Sequence, residues 1–118
     1  MTRPLHILLV ENHEDTLHYL HRHLEDEGHS VTAARTAGEA RMASVRGTPD
    51  VLLCDIGLPD DDGWKLVSGM GNSRPQLCIA MSGRGMASDV RRSLEAGFQH
   101  HLVKPFLPAD LDALLARD

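Results

Sequence analysis

The residues of this chain best suited to chemistry follow short apolar runs, at the points where predicted strands end. They are Glu11, Asn12, Asp55, Ser82 and Lys104. Carboxylate and amide oxygens are ligands that a hard cation such as Mg²⁺ prefers, and a lysine ammonium binds phosphoryl oxygens. An aspartate is a competent nucleophile toward phosphorus when a cation neutralises the charge that develops. The set therefore predicts phosphoryl chemistry centred on Asp55.

The elements that must position these residues alternate between short apolar runs and segments of helical period. This pattern is typical of successive βα units around a parallel sheet. Five pairs can be counted, with strands predicted at 5–10, 30–34, 51–54, 77–81 and 102–103. In an open α/β sheet, ligands bind beyond the carboxyl ends of the strands. The candidate residues are therefore expected to share one edge of the sheet.

The predicted helices carry their own start and stop signals. Leucines 17, 20 and 24 share one face of the first helix, which Gly28 ends. Thr36 and Glu39 have the spacing of a capping box at the second helix. The third is expected just after residues 60–62. Val90 and Leu94 mark the fourth, and the last begins near Pro108.

The composition of the chain restricts the class of protein. Its 118 residues, 42% of them hydrophobic, fit one compact domain over residues 1–118. The apolar runs fall far short of the roughly 20 residues that span a bilayer, and no secretion signal opens the chain, so a cytoplasmic location is expected. The net charge of −5 without a basic stripe argues against direct nucleic-acid binding. Cys54 and Cys78 lie in apolar runs and are predicted to be reduced core residues.

Four motifs carry a resemblance to a known family. They are "LLVEN", "LLCDIGLPDDDGW", "AMSG" and "LVKPF". Over nearly its full length the chain resembles the receiver domains of bacterial two-component response regulators. The resemblance implies a flavodoxin-like (βα)5 fold with a parallel sheet in the order 2-1-3-4-5. It also implies phosphoryl transfer from a kinase histidine to the aspartate that ends the third strand.

The resemblance extends to individual residues. It makes Asp55 the phosphoacceptor and a metal ligand, with the backbone carbonyl of Gly57 and, partly through water, Glu11 as further ligands. It pairs Lys104 with the phosphoryl oxygens and implies that the peptide bond between Lys104 and Pro105 is cis.

The resemblance also assigns a switch. Ser82 is expected to shift inward on phosphorylation. His101 occupies the position of an aromatic switch residue, and because histidine titrates near neutral pH, switching is expected to depend on pH.

Two positions depart from the family pattern. Asn12 stands where a second acidic metal ligand is usual, so the site has one less negative charge, and weak binding of Mg²⁺ or Mn²⁺ is expected. Gly57 has no side chain to orient a water molecule, so slow loss of the phosphoryl group is expected.

The partners implied are a histidine kinase or phosphotransfer domain and a downstream protein or output domain, with homodimer formation left open and no membrane partner. The fifth helix is expected to finish where the given sequence ends, so a stand-alone regulator and a piece of a longer protein both remain open. Beyond self-phosphorylation and slow autodephosphorylation, no enzyme activity is expected. One alternative is a pseudo-receiver that binds partners without phosphorylation, which Asn12 makes plausible. A metal-dependent phosphatase ranks last because residue 57 offers no general acid.

Two further motifs favour structural explanations. The run Asp60, Asp61 and Asp62 is expected to compensate the dipole of the helix that follows rather than to bind metal. "GRGMAS" at residues 83–88 lacks the third glycine of a dinucleotide-binding loop, so cofactor binding there is not expected.

Overall fold

The structure is a computed structural model that describes residues 3–83 and 87–116. The described residues form five strands that alternate with five α-helices. The strands are β1 (His6–Val10), β2 (Ser30–Ala34), β3 (Val51–Asp55), β4 (Leu77–Ser82) and β5 (His100–Val103). All of them pair in parallel, in the order β2-β1-β3-β4-β5. The predicted flavodoxin-like fold and strand order are confirmed.

The helices lie on both faces of this sheet. They are α1 (Glu14–Asp26), α2 (Ala37–Val45), α3 (Gly63–Met70), α4 (Ala87–Ala96) and α5 (Pro108–Leu115), with a 3₁₀ turn at Gly71–Ser73. The Thr36 side chain accepts from the backbone N–H of Glu39, as its capping-box spacing predicts. Gly28 and Gly97 follow α1 and α4 with φ of 94° and 124°, a left-handed backbone that favours glycine at helix ends.

The core consists of two layers, one on each face of the sheet. Successive strand residues point to opposite faces. Ile7 therefore packs with the leucines of α1 and α5. Leu8 packs in the other layer, with α2, α3 and Phe98. Because both faces are covered, the central strands are apolar between their ends. Polar side chains therefore occur only at or beyond the ends of these strands.

Helix α4 forms as predicted, although one of the residues that marked it is exposed. Leu94, which helped to mark the helix, is 52% exposed, whereas Ser93 is fully buried. The strand β5 is also longer than predicted, because it begins at His100 rather than at residue 102.

Two predictions about the rest of the chain can be compared with the structure. Cys54 and Cys78 are both free and buried, as predicted. Within residues 3–83 and 87–116, none of the helices is both long and apolar enough to cross a bilayer. Of the motif at residues 83–88, residues 84–86 lie outside the described residues.

Candidate functional site

The candidate residues meet at the carboxyl edge of the sheet because the strands are parallel. Asp55 is the last residue of β3, and Ser82 is the last residue of β4. Glu11 directly follows β1, and Lys104 directly follows β5. Strand order places β3 between β1 and β4, so Asp55 occupies the centre of this edge.

Lys104 joins the two carboxylates of this edge. Its Nζ lies 2.8 Å from Oδ2 of Asp55 and also donates to Oε1 of Glu11. The Lys104 side chain is 23% exposed, the Asp55 side chain 17% and the Glu11 side chain 2%. An ammonium ion that bridges two carboxylates partly balances their charges in a site that is only partly exposed to water.

Burial governs the protonation of Glu11. Removal from water raises the pKa of the Glu11 carboxyl, while the hydrogen bond from Lys104 opposes that shift and the nearby charge of Asp55 adds to it. The pKa of Lys104 is raised as well, because its hydrogen bonds with Asp55 and Glu11 outweigh the effect of its burial. The edge thus holds an acid that is costly to ionise beside a lysine that stays charged.

Backbone groups orient the remaining carboxylate oxygens. The N–H of His13 donates to Oε2 of Glu11 at 3.1 Å, and the N–H of Gly57 donates to Oδ1 of Asp55 at 2.8 Å. Oε2 of Glu11 and Oδ1 of Asp55 each accept one of these bonds and keep a second lone pair for another partner. The two acids are therefore held in fixed orientations.

The donor set of this edge fits a hard cation. The carboxylates of Glu11 and Asp55 and the backbone carbonyl of Gly57 would offer oxygen atoms, the ligands that Mg²⁺ prefers. Asn12 is exposed, and its amide nitrogen donates to the carbonyl of Arg35 at 3.5 Å. The amide adds no charge, so two acids and one lysine leave a formal charge of only −1.

A cavity of about 300 Å³ opens beside Asp55. Asp55, Gly57 and Ser82 contribute to its walls, together with Trp64 of α3 and Asp89 of α4. The space gives a small group access to Asp55 from the side of β4.

The predicted switch residues contact each other. Oγ of Ser82 lies 2.8 Å from Nε2 of His101, and Ser82 is 4% exposed. On the other side of the ring, Nδ1 of His101 lies 2.8 Å from Oγ of Ser93. The Lys104–Pro105 peptide bond is cis.

The three aspartates that follow β3 have structural partners. The Asp60 carboxylate accepts from the backbone N–H groups of Ala37 and Gly38, both at 2.9 Å. These bonds lower the pKa of Asp60. Asp62 caps α3, the helix that follows. The helix that Asp60 compensates is therefore α2 and not, as expected from the sequence, the helix that follows it.

Two residues beside the site were missed by the sequence analysis. Gly63 packs so tightly that a Cβ there would lie 2.9 Å from the carbonyl oxygen of Asp55. Ser93 bridges His101 and Trp64, whose Nε1–H donates to Ser93 Oγ at 2.9 Å. A glycine at a helix start and a serine within a helix are common, so neither gave a signal.

Comparison with known proteins shows which family the chain belongs to. The family model of the response regulator receiver domain matches residues 7–116. The chain belongs to this family. Receiver domains are signalling domains of two-component systems.

Individual relatives agree with the family match. The chain is 34% identical to an uncharacterised 14.6 kDa protein of Leptolyngbya boryana, over 92% of this chain and 86% of that protein. It is 32% identical to the virulence transcriptional regulatory protein PhoP of Salmonella typhimurium, over 97% of this chain and 53% of PhoP. The chain thus spans about half the length of PhoP.

A solved structure provides a further comparison. The receiver domain of the sensor histidine kinase PA1611 from Pseudomonas aeruginosa superposes with a TM-score of 0.85 at 28% identity, covering 96% of this chain and 95% of that one. That structure is described with a magnesium ion coordinated in its active site cleft. The similarity therefore extends to a receiver domain that was solved with bound magnesium.

Proposed function

We propose that this receiver domain, taken as a single domain over residues 1–118, accepts a phosphoryl group on Asp55. The observation that carries the proposal is the position of the Lys104 ammonium, which donates to both Asp55 and Glu11 at the carboxyl edge of the sheet. The donor would be a phosphohistidine of a histidine kinase or of a phosphotransfer domain. A carboxylate oxygen of Asp55 forms the new P–O bond as the P–N bond breaks, and the histidine nitrogen leaves with the bonding electrons.

The residues around Asp55 would divide the work of this transfer. Lys104 neutralises charge on the phosphoryl oxygens. Glu11, Asn12, Asp55 and the carbonyl of Gly57 would hold Mg²⁺, which when bound supplies further neutralisation of that charge. The cavity beside Asp55 admits the phosphoryl group from the side of Ser82.

The proposed switch follows from the contact between Ser82 and His101. A phosphoryl group on Asp55 offers acceptor oxygens to the Ser82 hydroxyl at the end of the neighbouring strand. Because Ser82 is bonded to His101, a shift of the hydroxyl alters the environment of β5 and α4. A downstream protein, an output domain or a second copy of the chain would read that change.

The test of phosphorylation uses acetyl phosphate with Mg²⁺ and intact-mass measurement. We expect the wild-type protein to gain the mass of one phosphoryl group and Asp55→Asn to gain none. Lys104→Met, which keeps much of the side-chain volume but removes the charge, should gain it far more slowly. A wild type that gains no mass would contradict the proposal and favour a pseudo-receiver.

Asn12 distinguishes strong from weak metal binding. Asn12→Asp restores a second acid beside Glu11, so titration with Mg²⁺ should show tighter binding by the variant than by the wild type. Equal affinities would show that the amide is not the cause of weak binding.

Gly57 bears on the lifetime of the phosphoryl group. A Cβ at this position would lie 3.7 Å from Oδ1 of Asp55, an ordinary contact, so a longer side chain would start beside the acceptor. Glycine leaves that position without a group that orients water, and we expect a phosphoprotein lifetime well beyond seconds. Decay within seconds would contradict this expectation.

A further inference from the structure

Four polar side chains form a continuous chain of hydrogen bonds that leads away from the candidate site. It connects Ser82 of β4, His101 of β5, Ser93 of α4 and Trp64 of α3, with successive distances of 2.8, 2.8 and 2.9 Å. Ser93 is fully buried, and the Trp64 ring is covered by the guanidinium of Arg92 at 4.1 Å. Ser82 and Ser93 are buried and His101 and Trp64 are partly buried, so the direction of each hydrogen bond follows from what each group can donate and accept.

The chemistry of the four groups allows two directions for a neutral histidine. An indole N–H only donates, so Ser93 Oγ accepts from Trp64 in either case. In the first arrangement Ser93 donates to Nδ1 of His101, and the ring proton sits on Nε2 and is donated to Ser82. In the second, the ring proton sits on Nδ1 and is donated to Ser93, and Ser82 donates to Nε2.

A phosphoryl group on Asp55 would select the first arrangement. Phosphoryl oxygens accept hydrogen bonds and donate none, so Ser82 can bond to them only by giving its single hydroxyl proton. Its oxygen must then accept from Nε2–H of His101 if that contact persists. Nδ1 of His101 then carries no proton and must accept a hydrogen bond. Among the four linked side chains, the hydroxyl of Ser93 is the group that can donate to it.

We propose that Ser93 is a positioning residue of the switch: its hydroxyl holds the ring proton of His101 on Nε2, so that Ser82 can donate to the phosphoryl group while remaining bonded to His101. The proposal rests on the proposed phosphorylation of Asp55. The indole N–H of Trp64 is the last group in this series of hydrogen bonds. A change in the direction of the other bonds should therefore alter its resonance.

The test uses nuclear magnetic resonance with beryllofluoride and Mg²⁺ as the phosphoryl mimic. The chain contains one tryptophan, so the indole N–H gives a single unambiguous signal. In the wild type, the mimic should shift this signal, and the ¹⁵N spectrum of His101 should show a neutral ring with the proton on Nε2. A proton on Nδ1, or on both nitrogens, would overturn the proposal.

Two substitutions separate the effect of the Ser93 hydroxyl from the effect of its side-chain volume. Ser93→Ala removes the donor to Nδ1, and we expect the apparent affinity for beryllofluoride to fall roughly five-fold, the equivalent of one lost net hydrogen bond. Ser93→Thr keeps the hydroxyl and should restore most of the affinity. If both variants bind the mimic like the wild type, Ser93 has no positioning role.

A third variant controls for proximity, because Trp64 also borders the cavity beside Asp55. His101→Phe keeps an aromatic ring but interrupts the series of hydrogen bonds, so it should still gain phosphoryl mass from acetyl phosphate, although more slowly than the wild type, while the indole shift is lost. An indole shift that persists in this variant would overturn the proposal. A wild type that gains no mass would instead refute phosphorylation of Asp55 itself, so the two failures are distinguishable.

Discussion

Gly63 provides the sharpest test of how the backbone around Asp55 is held in place. Replacement by alanine would place a Cβ 2.9 Å from the carbonyl oxygen of Asp55, 2.9 Å from Cα of Ile56 and 3.1 Å from Sγ of Cys54. The first two atoms belong to the backbone and cannot turn aside as a flexible side chain would. Ile56 is further held by its N–H, which donates to the carbonyl of Met81 at 3.0 Å. The clash must therefore move either α3 or the backbone that carries Asp55.

Two effects of this substitution oppose each other. Overpacking costs about 1 to 3 kcal/mol, whereas alanine is favoured over glycine in a helix by up to about 1 kcal/mol. Gly63 is the first residue of α3, where the propensity gain is small, so the clash dominates. We expect Gly63→Ala to lower the free energy of unfolding by about 1 to 2 kcal/mol. With a slope near 1.5 kcal/mol per molar urea, the midpoint should fall by roughly 1 M.

The same helix offers a matched control. Gly69 is exposed, and a Cβ there would have no neighbour within 4 Å. Because Gly69 lies in the last turn of α3, Gly69→Ala should raise the free energy of unfolding only slightly, by up to about 0.5 kcal/mol through helix propensity alone. Urea unfolding followed by circular dichroism measures both variants. Phosphorylation by acetyl phosphate should be slower in Gly63→Ala and unchanged in Gly69→Ala. The reasoning fails if Gly63→Ala is as stable as the wild type.

Three other predictions follow from charge and burial. Hydrogen bonds to the start of α2 lower the pKa of Asp60, so this carboxylate stabilises the fold above its unfolded pKa and loses that effect as the pH falls through its folded value. Asp60→Asn should be less stable at pH 7, with the difference shrinking in acid below about pH 4; an unchanged urea midpoint would contradict this. Burial raises the pKa of Glu11, so its ionisation costs stability as the pH rises from the unfolded towards the folded value. Glu11→Gln in metal-free buffer should then be more stable than the wild type at pH 7, and the opposite order would refute it. Burial raises the pKa of Cys78 to about 11 and that of Cys54 well above its usual range, so iodoacetamide should add mass at pH 8 only after unfolding.

The sequence alone determined the architecture and the meeting of Glu11, Asp55 and Lys104 at one edge of the sheet. Uninterrupted apolar runs between segments of helical period predict parallel strands covered on both sides, and parallel strands bring their carboxyl ends to one edge. Asp55 and Lys104 are 49 residues apart, yet their positions just at the ends of runs were enough to expect them together. Such local patterns are readable because the period of apolar residues depends only on the geometry of helix and strand.

The tertiary structure decided the contacts that depend on how elements pack. Ser93 lies on the buried side of α4, and a serine in a helix carries no sign of which face it occupies. Gly63 is needed because α3 approaches the backbone of Asp55 closely, a distance that no spacing in the sequence encodes. Asp60 binds the start of α2, whose first two residues precede it by 23 and 22 positions. In each of these three cases the residue contacts an element other than its own, and that contact depends on how the elements pack. The periodicity of one segment does not specify which element packs against it.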